Sequence, residues 1–272
     1  MSRSSAPTQH QTRARCGHVV RDLASRDLKA VKIARLIGVQ GRQPSRRMLE
    51  VGTGSGGIAH FFGTSGAMGW DVDAVDVEDS RLVSEGFRFT TVDGVVLPFA
   101  DDSFDVVVSN HVIEHVGEAT QQVQHLRELF RVMRADGIGY LAVPSRWMLV
   151  EPHFKLPFLS WLPQPLADSY VRMAKKGDYY DCRPLTVHWL ESKLDEAGFA
   201  FTQHHADALR LTYDIERRNS VLYRWLLKPL PDFVYRVLRR VFPTLIYTLA
   251  RKQECEHSAS SLSGRPRRST PR

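Results

Sequence analysis

The 272-residue sequence predicts an α/β fold, a mainly parallel β-sheet with helices packed on it. Three observations carry that expectation. Short apolar runs alternate with helix-like segments from about 46 to 207, a glycine-rich turn joins the first run to an apolar helix, and a β-rich run closes the pattern at 243–252. RRMLEV (46–51) reads as the first strand, VDAVDV (72–77) as the second, FRFTTV (87–92) as the third and FDVVVSN (104–110) as the fourth. GIGYLAVP (137–144) is the fifth. Ahead of it, ATQQVQHLRELFRVMR sets Val123, Leu126, Leu129, Phe130 and Met133 at helical spacing, and Asp136-Gly137 is expected to end that helix. LTVHWLESKLDEAGF (185–199) starts after Pro184 and stops at Gly198, so it reads as a further helix, and FAFTQHHA reads as a strand after it.

Two segments fall outside the alternation: 145–184, rich in Pro, Trp and Tyr, and 208–242, basic and apolar. Both are expected to overhang the same end of the sheet. A loop as long as the first, without regular structure, acts as a lid or binding loop. The folded domain is placed at 21–252, between Ser/Pro/Arg-rich tails at 1–20 and 253–272 whose composition is that of disorder.

Charge and cysteine usage exclude several classes. The formal charge is +7, but residues 21–207 carry −5, and the excess lies in 1–20, 208–251 and 252–272. An acidic body with basic ends does not present a nucleic-acid groove, so no nucleic-acid partner is expected. Cys16, Cys182 and Cys255 lack C-x-x-C spacing, which supports neither a disulfide framework nor a thiolate metal site and points to a reducing compartment. The N-terminus has no signal-like apolar core, and no run approaches the ~18 apolar residues of a bilayer span. A cytoplasmic location follows as the expectation.

The densest motif is Glu50-Val-Gly52-Thr-Gly54-Ser-Gly56-Gly57, between a strand and the helix-like IAHFF. Glycines there permit a tight turn and a close ligand approach. Gly56 and Gly57 read equally well as helix-packing glycines. Gly52, Gly54 and Gly57 also satisfy the dinucleotide G-x-G-x-x-G, and Asp76 lies where a ribose-binding acid belongs. Glu50 separates the two. A pyrophosphate laid on this turn would be repelled by a carboxylate, whereas S-adenosylmethionine (SAM) carries a sulfonium and an ammonium and no phosphate.

Together, MLEVGTGSGGIA, AVDVEDSRL, TVDGVVLPFADDSFDVVVSNHVIEHV and the late TLIYTLARK resemble the ordered motifs of the class I SAM-dependent methyltransferases, which have a Rossmann-like sheet. The stretch VDGVVLPF, DDSFDVV and VIEHV is similar to the branch containing the ubiquinone and menaquinone biosynthesis methyltransferases. The resemblance covers about 45–145, with weaker support to 252. It implies that Glu50, Gly52 and Gly54 hold the methionine portion of SAM, that Asp76 binds the ribose hydroxyls, and that Val77 packs on adenine. It further implies that Asp93, followed by Gly94, accepts from the adenine amino group and that Asn110 lines the site.

His111-Val-Ile-Glu114-His115 also matches the H-x-x-E-H pattern of a metalloprotease family, with Glu191 available as a third ligand. That chemistry needs both histidines on one helix face. Here the motif starts at a strand end, so no metal is expected. Glu114 and His115 are instead expected on a loop or first turn facing the acceptor pocket, where they serve equally well to cap the next helix.

An alcohol-type acceptor must lose a proton, and a base must come from the C-terminal edge of the sheet. His111, His115 and His153 are the candidates, with Asp178, Tyr179 and Tyr180 as outer ones. In PDFVYRVLRRVF (231–242), Phe233, Val234, Val237, Leu238 and Val241 form one stripe with Arg236, Arg239 and Arg240 off it, and Trp225 precedes it. Such a segment reads either as a membrane-surface element or as a helix packing its stripe on the body. The expected function is SAM-dependent O-methylation of a small-molecule or lipid- or glycan-linked acceptor, with peripheral membrane contact through 208–242. The alternatives are an NAD(P)-dependent oxidoreductase using the same turn and a non-catalytic SAM-binding module.

Overall fold

The computed structural model describes residues 22–39, 46–64, 69–215, 225, 231–238 and 242–252. Both predicted tails lie outside these residues, as do Arg239, Arg240 and Val241. In chain order the helices are α1 (Leu23–Leu36), α2 (Gly57–Thr64), α3 (Ala119–Val132), α4 (Gln164–Met173), α5 (Val187–Glu196), α6 (His205–Ile215) and α7 (Asp232–Leu238). The strands are β1 (Arg47–Val51), β2 (Asp71–Asp76), β3 (Phe87–Thr91), β4 (Phe104–Asn110), β5 (Met133–Pro144), β6 (Val150–Glu151), β7 (Leu156–Pro157), β8 (Phe199–Gln203) and β9 (Thr244–Arg251).

Seven strands form one sheet in the order β3-β2-β1-β4-β5-β9-β8, and all run parallel except β9, which is antiparallel to β5 and β8. Central strands buried on both faces read as continuous apolar runs, and the side-chain period of two divides them between two cores. Leu49, Val51, Val107, Leu141 and Val143 face α3 and α5, whereas Met48, Val106, Val108, Tyr140 and Ala142 face α1, α2 and α6. α3 is held by its buried face of Gln122, His125, Leu126, Leu129 and Val132. α5 is capped by the Thr186 hydroxyl, which accepts the Trp189 N–H at 3.2 Å, and it ends at Gly198 (φ +93°), as the sequence predicts. Strand order reverses between β1 and β4, and that opens a crevice at the C-terminal ends of the strands.

Three expectations are corrected. First, α3 ends at Val132 and β5 begins at Met133, so Asp136-Gly137 is no helix stop; it lies in a bulge where pairing jumps from Phe104↔Met133 to Val106↔Ile138. A Cβ on Gly137 would stand 2.9 Å from Met133 Cγ and 3.0 Å from the Arg134 carbonyl, so glycine serves the tight bulge. Second, 145–184 is not a bare loop. It holds the β6–β7 pair, a 3-10 turn at Leu159–Trp161 and α4, with a core of its own that includes Phe154, Leu159, Val171, Tyr180 and Cys182. Third, the strand predicted to run to 206 stops at Gln203. α6 follows and packs beside α1 and β9 on a sheet face instead of overhanging the end; Lys32 Nζ donates to Thr212 Oγ1 at 2.8 Å there. No helix among the described residues is long and apolar enough to cross a membrane.

Candidate functional site

At the crevice lies a cavity of about 530 Å³, within the usual range for small-molecule sites. Its floor is the β1–α2 turn. Gly52 (φ +81°) and Gly54 (φ +53°) adopt left-handed backbone, and a Cβ on Gly52 would come within 2.2 Å of Val112 Cγ2. A Cβ on Gly54 would meet no atom within 4 Å, so the turn opens there onto empty space. Gly56 and Gly57 prove to be packing glycines: their Cβ atoms would stand 2.6 Å from the Val83 carbonyl and from Arg26 Cβ, and neither lines the cavity.

Glu50 ends the apolar run of β1 only 2 % exposed and lines the cavity, where its Oε2 accepts the Ala59 N–H at 3.0 Å. Burial pushes its carboxyl up to about 8, against the Ala59 hydrogen bond and the Arg26 charge. Burial likewise pulls Arg26 down despite Glu50. A buried carboxylate that its neighbours do not fully compensate suits a cationic ligand.

Asp76 closes β2, with Oδ2 accepting the Gly54 N–H at 2.8 Å and Oδ1 the Val77 N–H at 2.7 Å. A carboxylate has about four acceptor sites, so both oxygens retain capacity toward a ligand hydroxyl. Val77 is 44 % exposed and lines the cavity, as does Gly94 (φ +85°). Asp93 is exposed and outside the lining, between Val92 and Gly94, which belong to it. Asn110 ends β4 with its Oδ1 buried and unpartnered at the cavity wall. Buried polar atoms are rarely left so.

The other end of the cavity gathers the histidines. His111 turns the chain at φ +60°, its N–H donating to Ala142 O at 2.8 Å and its Nδ1 3.2 Å from Glu114 Oε1. Glu114, within a 3-10 turn at Ile113–His115, is fully buried and does not cap α3. Burial would raise its carboxyl, but the hydrogen bond from His111 and the charges of His111 and His115 outweigh that and hold it below its ordinary value. His115 stands edge-on to His153, ring centroids 5.6 Å apart, and His153 Nδ1 pairs with buried Glu151 Oε1 at 2.8 Å. Burial works against the His153 imidazolium, but Glu151, Glu114 and Asp181 raise it on balance. All three sequence candidates line the cavity. Tyr180 is buried in the insert core, and neither it nor Asp178 or Tyr179 lines the cavity. Glu191 accepts from Tyr247 Oη at 3.0 Å and from Gln203, away from the HVIEH motif, which removes the protease-like ligand set.

Sequence reading missed several lining residues: Ser25, Arg26 and Lys29 from α1, Asp181 from the insert, and His125 from α3. His125 is buried, hydrogen-bonded to Ser109 Oγ at 3.0 Å, and burial lowers it to about 4, so it is neutral. Its helical spacing marks it as core. Only the path of the chain carries it to the cavity.

Residues 49–141 match a family model described as a methyltransferase domain. An uncharacterised methyltransferase of Mycobacterium leprae is 33 % identical over 111 residues, which is 39 % of this chain and 40 % of the relative. The chain thus spans about two fifths of the length of the first curated relatives it matches. A ubiquinone/menaquinone biosynthesis C-methyltransferase of Vibrio campbellii is 26 % identical over 190 residues, covering 62 % of this chain and 70 % of that one. Among solved structures, a chain from the Haloferax volcanii complex of the Trm112 methyltransferase activator with a methyltransferase superposes with a TM-score of 0.51. Its identity is 16 %, over 85 % of this chain and 94 % of that chain, a likeness of fold alone.

Proposed function

We propose that the protein is a SAM-dependent methyltransferase acting on the oxygen of a small-molecule or lipid-linked acceptor, a reading supported by the match of residues 49–141 to the methyltransferase-domain model. The observation that carries this reading is the cavity floor. Glu50 is buried, under-compensated and aimed into a cradle that opens at Gly54, with the unpartnered Asn110 Oδ1 on the wall. These residues fit SAM. Glu50, Gly52 and Gly54 would hold the methionine portion, Asp76 the ribose hydroxyls, Val77 the adenine face, Asp93 with Gly94 the adenine amino edge, and Asn110 the remaining wall.

When bound, SAM supplies a methyl group on a sulfonium, and the chain must orient the acceptor, exclude water and take the acceptor proton. His111 is held as a base is held, by a buried carboxylate at 3.2 Å, and His115 and His153 stand beside it. The 145–184 insert contributes His153 and Asp181 to the cavity wall and so covers the acceptor end. Peripheral membrane contact through 208–242 belongs to the same proposal. Trp225 is 81 % exposed, and Phe233 and Val237, one helical turn apart on α7, are 59 % and 74 % exposed. Tyr235 is the buried side of that helix, stacked on Phe242 with Arg210 over its ring. Of the predicted stripe, Phe233 and Val237 therefore face outward, while Val234 is half-buried.

The oxidoreductase reading is disfavoured by Glu50 under the turn and by the antiparallel β9 between β5 and β8, where a dinucleotide-binding sheet runs parallel. Incubation with methyl-labelled SAM and fractionated polar and lipid extracts tests the proposal. Label should enter one acceptor class, and His111→Asn should lower turnover by roughly 10²–10⁴-fold with cofactor affinity retained. SAM binding without transfer to any fraction would favour the non-catalytic module.

A further inference from the structure

The acceptor end of the cavity brings together donor groups far apart in sequence. Cys182 Sγ, 1 % exposed, lies 3.9 Å from both ring nitrogens of His115, 3.9 Å from His153 Nδ1 and 3.6 Å from Asp181 Oδ1. The potential ligand atoms of His115, Asp181 and Cys182 fall within 4.8 Å of one another, and so do those of Glu151, His153 and Cys182. Tetrahedral zinc with Zn–S of about 2.3 Å and Zn–N of about 2.0–2.1 Å has S···N edges of about 3.5 Å, so the Cys182–His115 edge at 3.9 Å needs to close by only a few tenths of an ångström. We propose that His115, Asp181 and Cys182, with His153 beside them, form a binding site for a late first-row divalent cation, zinc by donor type, at the acceptor end of the cavity.

Glu151 completes the arrangement from behind. Its Oε2 accepts the Phe154 N–H at 2.6 Å and its Oε1 pairs with His153 Nδ1, the same nitrogen that lies 3.9 Å from Cys182 Sγ, so the carboxylate holds His153 beside the group and the ligand nitrogen comes from His115. Charge points the same way. Glu114 and Glu151 are 0 % and 1 % exposed, Asp181 is half-buried beside them, and Glu114 Oε2 has no hydrogen-bond partner. Three carboxylates gathered at this end of the cavity make a negative environment that a divalent cation offsets. A mixed sulfur, nitrogen and oxygen donor set selects zinc-like ions over magnesium or calcium. His115, His153 and Asp181 line the cavity and Cys182 lies behind them, so the cation sits with one side toward the acceptor. Cation binding does not depend on the methyltransferase reading. Its role, holding the acceptor oxygen and easing loss of its proton, does rest on that reading.

The test uses the full chain, without a polyhistidine tag, dialysed against chelator and titrated with Co²⁺ followed by absorption and with Zn²⁺ followed by calorimetry. One equivalent should bind with a thiolate-to-cobalt charge-transfer band. Cys182→Ser should lose that band, and Cys182→Ser and His115→Ala should each weaken Zn²⁺ by on the order of 10–100-fold or more. SAM affinity, measured on the same samples, should be unchanged in Cys182→Ser, which shows that the variant is folded and separates this site from the cofactor site. No saturable Co²⁺ binding by wild type that still binds SAM, or a charge-transfer band that persists in Cys182→Ser, would overturn the proposal.

Discussion

Glu50 ties a local sequence feature to a measurable electrostatic one. Its carboxyl sits at about 8 in the folded chain against 4.5 ordinarily, because burial disfavours the charged form. A folded-state value above the unfolded one means that the group costs stability as pH rises from about 4.5 to about 8, with no such cost below that window. Glu50→Gln should therefore raise the melting temperature of the ligand-free protein, by an increment that grows across that window, while weakening SAM. A cationic ligand favours the carboxylate, so SAM affinity should rise with pH up to about 8, with proton release visible as a buffer-dependent calorimetric enthalpy. Glu50→Ala and Asp76→Ala should each cost roughly 1–3 kcal/mol of SAM binding. The glycines divide by mechanism: Gly52→Ala collides with Val112 and should destabilise the fold, whereas Gly54→Ala meets no atom within 4 Å. It should cost only the ~1–2 kcal/mol of left-handed backbone plus SAM affinity, and paired melting and binding curves separate the two. Glu50, Gly52 and Gly54 were legible because one short motif carries them, and Asp76 because it ends the next strand. His125 and Asp181 were not, since each reaches the cavity from a distant element and reads locally as core or loop, and Cys182 lies behind that wall.

Individual elements repeat this division. Every predicted strand of the parallel part exists, because buried central strands announce themselves as apolar runs whatever their neighbours. The end of α3 was misread because Asp-Gly marks a helix stop and a bulge alike, and only the pairing of β5 with β4 decides between them. The core of the insert was invisible for a related reason: Phe154, Tyr180 and Cys182 lie outside the helix and strand patterns until the segment folds back on itself. For α7 the sequence shows a stripe but not which way it points. With Trp225, Phe233 and Val237 outward, a bilayer could take up side chains each contributing up to ~1.5–3 kcal/mol, with about 1 kcal/mol from each basic residue near an anionic surface. The protein should sediment with anionic vesicles, less at high salt. Phe233→Ser with Val237→Ser, or reversal of Arg236, Arg239 and Arg240 to Glu, should release it without changing SAM affinity. Equal sedimentation of wild type and variants would return the acceptor to the soluble pool.

Across the whole molecule, the acidic body of −5 argues against a nucleic-acid groove, and any attraction to anionic lipid must be local to the basic stretches, of which 208–251 carries the largest excess. Strand order and the crevice between β1 and β4 place the cavity at one end of the sheet, with one half built from β1, β2 and the β4 end and the other from the 3-10 turn and the insert. The central claim is that this cavity is made for SAM, and isothermal titration of the purified chain with SAM, S-adenosylhomocysteine and NADH tests it most directly. One equivalent of SAM or S-adenosylhomocysteine should bind, with a thermal shift that rises with ligand concentration, and binding should be weakened in both Glu50→Ala and Asp76→Ala. NADH binding in their place, or SAM affinity unchanged in both variants, would contradict it.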